Sequence, residues 1–192
     1  MRIPLKVQGV TDVNPEASFS LLIITDEEEE KQIAIMIDAS MRHEFAIRRS
    51  KYVGDENSRR VSSEMLERTL PETLSAIIKY MTNLELSIII VSIYDGQYRA
   101  VIEDKNTGTA FPIRVSDGIL LAYADRHIPL YIEESLWQHQ STKYMGEKAQ
   151  GVSLPLNTLT IGMLKSAMQK CIDDERYEMA EQFKQEIERR KR

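Results

Sequence analysis

An Asp95-Gly96 pair stands between two strand-like runs, Leu84–Tyr94 and Tyr98–Glu103, and this feature most narrows what the chain can become. The first run is apolar and β-branched, the composition of a strand inside a sheet rather than at its margin. Asp-Gly tolerates the positive φ angles that a tight antiparallel hairpin turn demands. A central strand and its antiparallel neighbour are therefore expected in the middle of the chain.

The flanking sequence adds to that hairpin. Ile3–Val10 alternates apolar and polar residues and reads as a strand. After the break at Asn14-Pro15, Ser18–Thr25 is a second strand. The acidic run Asp26–Glu30 is a solvated hairpin turn, and Ile33, Ile35 and Ile37 alternate in a third strand. Asn106-Thr107-Gly108 turns the chain into a strand over Thr109–Val115, and Ile128–Ile132 is a short strand. Helices are expected over Ala39–Ser50, through Met41 and Phe45, and behind Pro71, with Leu74, Ile77, Ile78 and Met81 at helical intervals. Gly54–Ser58 between them reads as a loop. Ser116 is expected to cap a helix reaching about Arg126, and Glu133–Trp137 a short one. Strands joined by short turns, with helices inserted, predict an α+β fold with a mixed, mostly antiparallel sheet.

The pattern changes near residue 139. Residues 139–158 are polar, with Gly146, Gly151 and Pro155, and read as a linker. Two helical stripes follow: Ile161, Leu164, Met168 and Cys171 with Ile172, then Tyr177, Ala180, Phe183 and Ile187. Asp173-Asp174 between them is placed to cap the second helix, and Glu186 with Arg190 forms a favourable pair four residues apart. The expected organisation is a body over 1–138, a linker over 139–158 and a two-helix hairpin over 159–192. A hairpin of about 30 residues has too little core to stand alone. The stripe Tyr177, Ala180, Phe183 and Ile187 is thus the candidate partner-binding surface, the alternative being packing on the body.

Charge and motifs restrict function. Net charge is −5; from Thr160 onward there are 8 basic and 7 acidic residues, so the remainder carries −6. An acidic body attracts phosphate backbones only through a local patch. The candidate patch is Arg42–Arg60, with Arg42, Arg48, Arg49, Lys51, Arg59 and Arg60, and a solvated helix face is the alternative reading. The single cysteine, Cys171, rules out an internal disulfide and suits a reducing compartment. The first residues do not form a signal peptide, and Ile88–Val91 is too short to span a bilayer, so a cytoplasmic protein without membrane association is expected. Phosphate-cradling glycine loops, dinucleotide fingerprints, Cys/His metal spacings and nucleophile-elbow serines do not occur.

Two segments carry a resemblance. Ile113-Arg114-Val115-Ser116-Asp117-Gly118-Ile119-Leu120-Leu121-Ala122, followed by Ile128-Pro129-Leu130-Tyr131-Ile132-Glu133-Glu134, is similar to the bifunctional nuclease domain family, as is Ile33-Ala34-Ile35-Met36-Ile37. The order of elements agrees over residues 1 to about 137. The family's His-Asp pair stands here as Glu72-Thr73, its Glu-Ala after the third strand as Asp38-Ala39-Ser40-Met41, and the Asp ahead of its Ala-Arg-Pro segment as Pro112. The C-terminal hairpin resembles a UVR motif through Leu164, Ala167, Met168, Ile172, Tyr177, Glu178, Ala180, Phe183, Glu186 and Ile187.

The resemblance implies a metal-dependent nuclease acting on DNA or RNA, with Mg²⁺ or Mn²⁺, and a hairpin that pairs with a partner's helical hairpin. Asp117 would hold the metal or orient a water, Arg114 would steady a phosphate, and Arg68 and Glu72 would lie nearby. Against these stand ordinary roles: a helix cap and dipole partner for Ser116 and Asp117, a surface ion pair for Arg114, a solvated first turn for Arg68 and Glu72. The alternative function is a non-catalytic adaptor whose body is a homo-oligomeric scaffold.

Overall fold

The computed structural model describes residues 1–12, 19–53, 63–144, 146 and 159–191. It is an α+β structure. The strands are β1 (Arg2–Asp12), β2 (Phe19–Asp26), β3 (Lys31–Asp38), β4 (Leu86–Tyr94), β5 (Gln97–Asp104), β6 (Ala110–Arg114), β7 (Leu130–Glu133) and β8 (Thr142–Lys143). The helices are α1 (Ala39–Val53), α2 (Leu70–Met81), α3 (Val115–Ala124), α4 (Glu134–Gln140), α5 (Ile161–Asp173) and α6 (Tyr177–Lys191).

The sheet runs β6-β5-β4-β7-β1-β2-β3-β8, and β4 with β7 is its parallel pair. Asp95 and Gly96, at φ 45° and 75°, make the expected tight turn between β4 and β5. Strand β1 serves two neighbours in succession. Arg2–Pro4 pairs with β7, and Leu5–Asp12 pairs with β2. A bulge between Val7 and Gly9 turns the strand, and Gly9 adopts φ 155° there.

One core fills the space between the two halves of this bent sheet. Leu22, Ile24, Ile33, Ile35 and Ile37 meet Ile88, Ile90, Tyr98, Ala100 and Ile132, with Met41 and Phe45 of α1, Ile119–Leu121 of α3 and Trp137 of α4. Strands β2 and β3 are buried on both faces, because Leu21, Ile23 and Ala34 form a second cluster on the far side with Phe19, Met36 and Tyr144. That explains their near-continuous apolar sequence.

Several expectations shift. The linker starts later than residue 139: α4 continues to Gln140, and β8 extends the sheet on β3. The break at Asn14-Pro15, the loop at 54–58 and most of the expected linker lie outside the described residues. Ser116 is not the cap of α3. Arg114 holds that place, and Ser116 is buried within the first turn. Asp174 caps the C-terminal end of α5, and its carboxylate pairs with Arg176 at 2.6 Å rather than capping α6. Among the described residues no helix is long and apolar enough to cross a membrane.

Helix α2 begins as expected, with Pro71 in its first turn, yet it buries no residue. Leu70 is 77% exposed, Tyr80 78% and Met81 78%. The helix is held to the body by its polar side, where Ser75 reaches Asp125 at 2.5 Å.

Candidate functional site at the start of α3

The turn after β5 determines which residues meet on β6. Asp104 closes it: its carboxylate accepts from the Thr107 hydroxyl at 2.8 Å and from the Glu85 and Asn106 amides, and these bonds hold it below the usual carboxylate range. The resulting register sets Arg99 directly opposite Arg114. Directly opposed residues on antiparallel strands share a face, and like charges there repel. Arg99 lies over the Tyr94 ring, its guanidinium carbon 4.8 Å from the centroid. Arg114 bonds Asp38 Oδ2 at 2.9 Å.

Asp38 ends β3, so this ion pair joins the edge strand β6 to the next-to-last strand at the other end of the sheet order. Its other oxygen accepts from the Met41 amide at 2.8 Å, which starts α1. The Met41 amide first, and Arg114 second, hold the Asp38 carboxyl below the usual carboxylate range. Beside the pair lies a cleft of about 510 Å³. Its walls come from Ala34–Met36 of β3, Gln97–Ala100 of β5, and Pro112–Ser116. Two hydroxyls in these walls, Tyr98 Oη and Ser116 Oγ, are buried without a hydrogen-bond partner among the described residues. Burial pushes the Tyr98 phenol above its usual value.

Asp117 stands in the first turn of α3, exposed. A carboxylate there complements the helix dipole. Arg114, Val115 and Ser116 line the cleft, and Asp117 follows them in the first turn of α3. Glu72 is not free for chemistry. It receives Arg48 Nη2 at 2.6 Å and the Thr69 hydroxyl on the same oxygen. Arg48 is 1% exposed and also pairs with Glu44 at 2.7 Å, so the group is a structural clasp between α1 and the start of α2. Arg68 is exposed in the turn before α2. Of the basic segment, Arg42 pairs with Asp12 at 3.2 Å and Arg48 is buried, while Arg59 and Arg60 lie outside the described residues.

The donor set for a metal is thin. Among the described residues no three His, Cys, Asp or Glu side chains gather where one ion would bind. Asp38 and Glu72 each hold an arginine. These residues do not fit a two-metal centre, which draws several carboxylates onto one pair of ions.

The hairpin is a second candidate. Leu164, Cys171, Ala180, Phe183 and Ile187 form a cluster of their own, backed by Leu159, Ala167 and Met168. Ala180, Phe183 and Ile187 therefore face α5 and are committed to the hairpin, and only Tyr177 of the expected partner stripe lies on the surface, 63% exposed. Ile172 and Met179 are exposed on either side of the same turn. Arg190 fastens the base: it pairs with Glu186 at 2.8 Å, donates to the Leu159 carbonyl at 2.6 Å, and reaches Asp95 of the β4–β5 turn at 3.2 Å.

Sequence reading missed Asp38 and Arg99, and it placed Arg48 in a candidate phosphate patch rather than in a buried clasp. Arg99 was accessible in principle, because the Asn106-Thr107-Gly108 turn sets the register that pairs it with Arg114. Asp38 and Arg48 carried no such local signal, since their partners are 76 and 24 residues away. No protein-family model matches this chain, and no curated protein is significantly similar to it, so its function is argued from the residues above.

Proposed function

We infer that this chain is a non-catalytic adaptor of the cytoplasm, in which the α+β body is a scaffold and the α5–α6 hairpin recruits a protein partner. The observation that carries this reading is the hairpin's closed core. With Ala180, Phe183 and Ile187 consumed internally, Ile172, Tyr177 and Met179 remain exposed on the two sides of the hairpin's turned end, whose turn carries Asp173, Asp174 and Glu175. Exposed apolar side chains flanking a carboxylate-bearing turn suit a helical partner with an apolar stripe and basic flanks. Deleting residues 159–192, or replacing Tyr177 and Met179 with Ala, should abolish capture of such a partner while the body stays folded. Capture unchanged by Tyr177→Ala with Met179→Ala would overturn this assignment of the surface.

A second reading has an observation of its own. The opposed Arg99 and Arg114, at a cleft beside the first turn of α3, suit a phosphodiester, and the resemblance to the bifunctional nuclease domain agrees with that. Its test is hydrolysis of labelled single- and double-stranded DNA and RNA, with Mg²⁺ or Mn²⁺, a chelator control and Asp117→Asn. The adaptor reading expects no cleavage above the chelated background. Cleavage lost both with chelator and in Asp117→Asn would replace it with the nuclease.

A further inference from the structure

We propose that the exposed stripe of α2 is a self-association surface, joining two copies of this chain through an antiparallel pair of α2 helices. This surface belongs to the body and is independent of the hairpin's partner.

Leu70, Leu74, Ile77 and Met81 recur at intervals of four, three and four, the spacing of a helix–helix seam. That spacing reads the same in both directions. When two such helices lie antiparallel about a two-fold axis, Leu70 meets Met81 of the other copy and Leu74 meets its Ile77. Self-complementarity of this kind is what an isologous interface requires: one residue contacts a second, and the second contacts the first.

Among the described residues the stripe has no partner inside the protomer. No residue of α2 is buried, and the body-facing side is made by Pro71, Glu72, Ser75 and Ile78, which are half-buried. Leu74 and Ile77 are 37% and 44% exposed, and Leu70 and Met81 nearly twice that. Thr73 and Tyr80 border the stripe, so no charge interrupts it along the helix. Its charged residues, Glu72 and Lys79, lie on the opposite side of the helix. Together Leu70, Leu74, Ile77, Tyr80 and Met81 expose on the order of 600 Å², an upper bound on what the pair can bury per copy, against roughly 800 Å² per partner in a standard interface. Apolar surface of that extent on one helix face marks a contact site. An area below the standard predicts a dimer that dissociates on dilution.

The test is the mass of the full chain by light scattering and sedimentation over a wide concentration range. The expected result is a monomer of 22.1 kDa passing to a species of twice that mass as concentration rises. Leu70→Glu with Met81→Glu puts like charges opposite each other at largely exposed positions, so it should hold the chain monomeric while keeping the circular dichroism and the thermal midpoint of the dilute, monomeric parent. A register test separates this pairing from any other: Leu74→Cys mixed with Ile77→Cys should oxidise to the mixed disulfide ahead of either self-disulfide. A wild-type chain that is monomeric at every concentration overturns the proposal. So does a dimer that survives Leu70→Glu with Met81→Glu, or self-disulfides that form as fast as the mixed one.

Discussion

Single side chains show how this fold commits its charges. Arg48 is buried, donating through Nη1 to Glu44 and through Nη2 to Glu72 and Thr69. Removing one member of a buried pair leaves the others uncompensated. Glu72 and Glu44 keep 19% and 34% of their side-chain surface in water and can partly resolvate. Arg48→Met should therefore cost about 2 kcal/mol in urea unfolding, short of the roughly 3–5 kcal/mol typical of a fully buried pair. Asp125 offers a pH reading. Burial pushes its carboxyl up, but the Ser75 hydroxyl and the His127 amide and ring outweigh that and hold it below the usual range. Its folded value lies under the unfolded value of about 3.9, so its contribution is complete above roughly pH 4 and fades as pH falls through the folded value. Asp125→Asn should lose about 1.5 kcal/mol at neutral pH, the scale of a hydrogen bond to a charged group. It should also flatten the acid limb of the stability profile below that point. A variant whose acid limb matches the parent would remove Asp125 from the account.

Elements differ in how much they depend on the rest. Helix α3 is inseparable from the sheet: Ile119, Leu120 and Leu121 are core, and a Cβ on Gly118 would meet Ile88 at 3.0 Å and Ile113 at 3.2 Å. The α5–α6 hairpin instead carries a small core of its own. Truncating a large aromatic in such a core costs about 3–5 kcal/mol, more than a two-helix unit holds in reserve. Phe183→Ala is expected to strip hydrogen-exchange protection from residues 161–191 and leave β2 and β4 protected. Loss of protection in both regions together would mean that hairpin and body unfold as one unit. Helix α2 is the third kind, docked by its polar side and carrying its apolar stripe outward. Its existence, its Pro71 start and its stripe were legible in the sequence, because each rests on neighbours within one or two turns. The direction of the stripe was not, because a helix of this pattern packs inward or outward depending on what surrounds it.

Across the whole molecule, the bend in β1 matters most. One strand pairs with β7 over Arg2–Pro4 and with β2 from Leu5 onward, and the bulge between Val7 and Gly9 turns it within the β2-paired part. A side chain at Gly9 would sit in an unfavourable backbone region at φ 155° and 3.2 Å from Arg49 Nη1. Gly9→Val should cost roughly 1–3 kcal/mol, the range for a non-glycine residue held in such a conformation. Urea midpoints measure it, and a midpoint equal to the parent's would show that the bend does not need the glycine. The same bend carries Asp38 to Arg114 and so joins, beside the cleft, strands from opposite halves of the sheet order.

What the sequence determined by itself is everything set by near neighbours: the strands and their turns, the α+β class, the helical hairpin with its Glu186–Arg190 pair, and the acidic character of the chain. Alternation, turn residues and helical spacing act within a few residues, so they can be read in one dimension. Tertiary structure alone decided which of those residues are available. It buried Ala180, Phe183 and Ile187 inside the hairpin, gave Glu72 to Arg48 and Asp38 to Arg114, and turned the α2 stripe to solvent. Each of those outcomes depends on a partner brought near by the bend of the sheet or the packing of a helix. Local pattern carries no record of such a partner, because the energy that selects it exists only once the chain is folded.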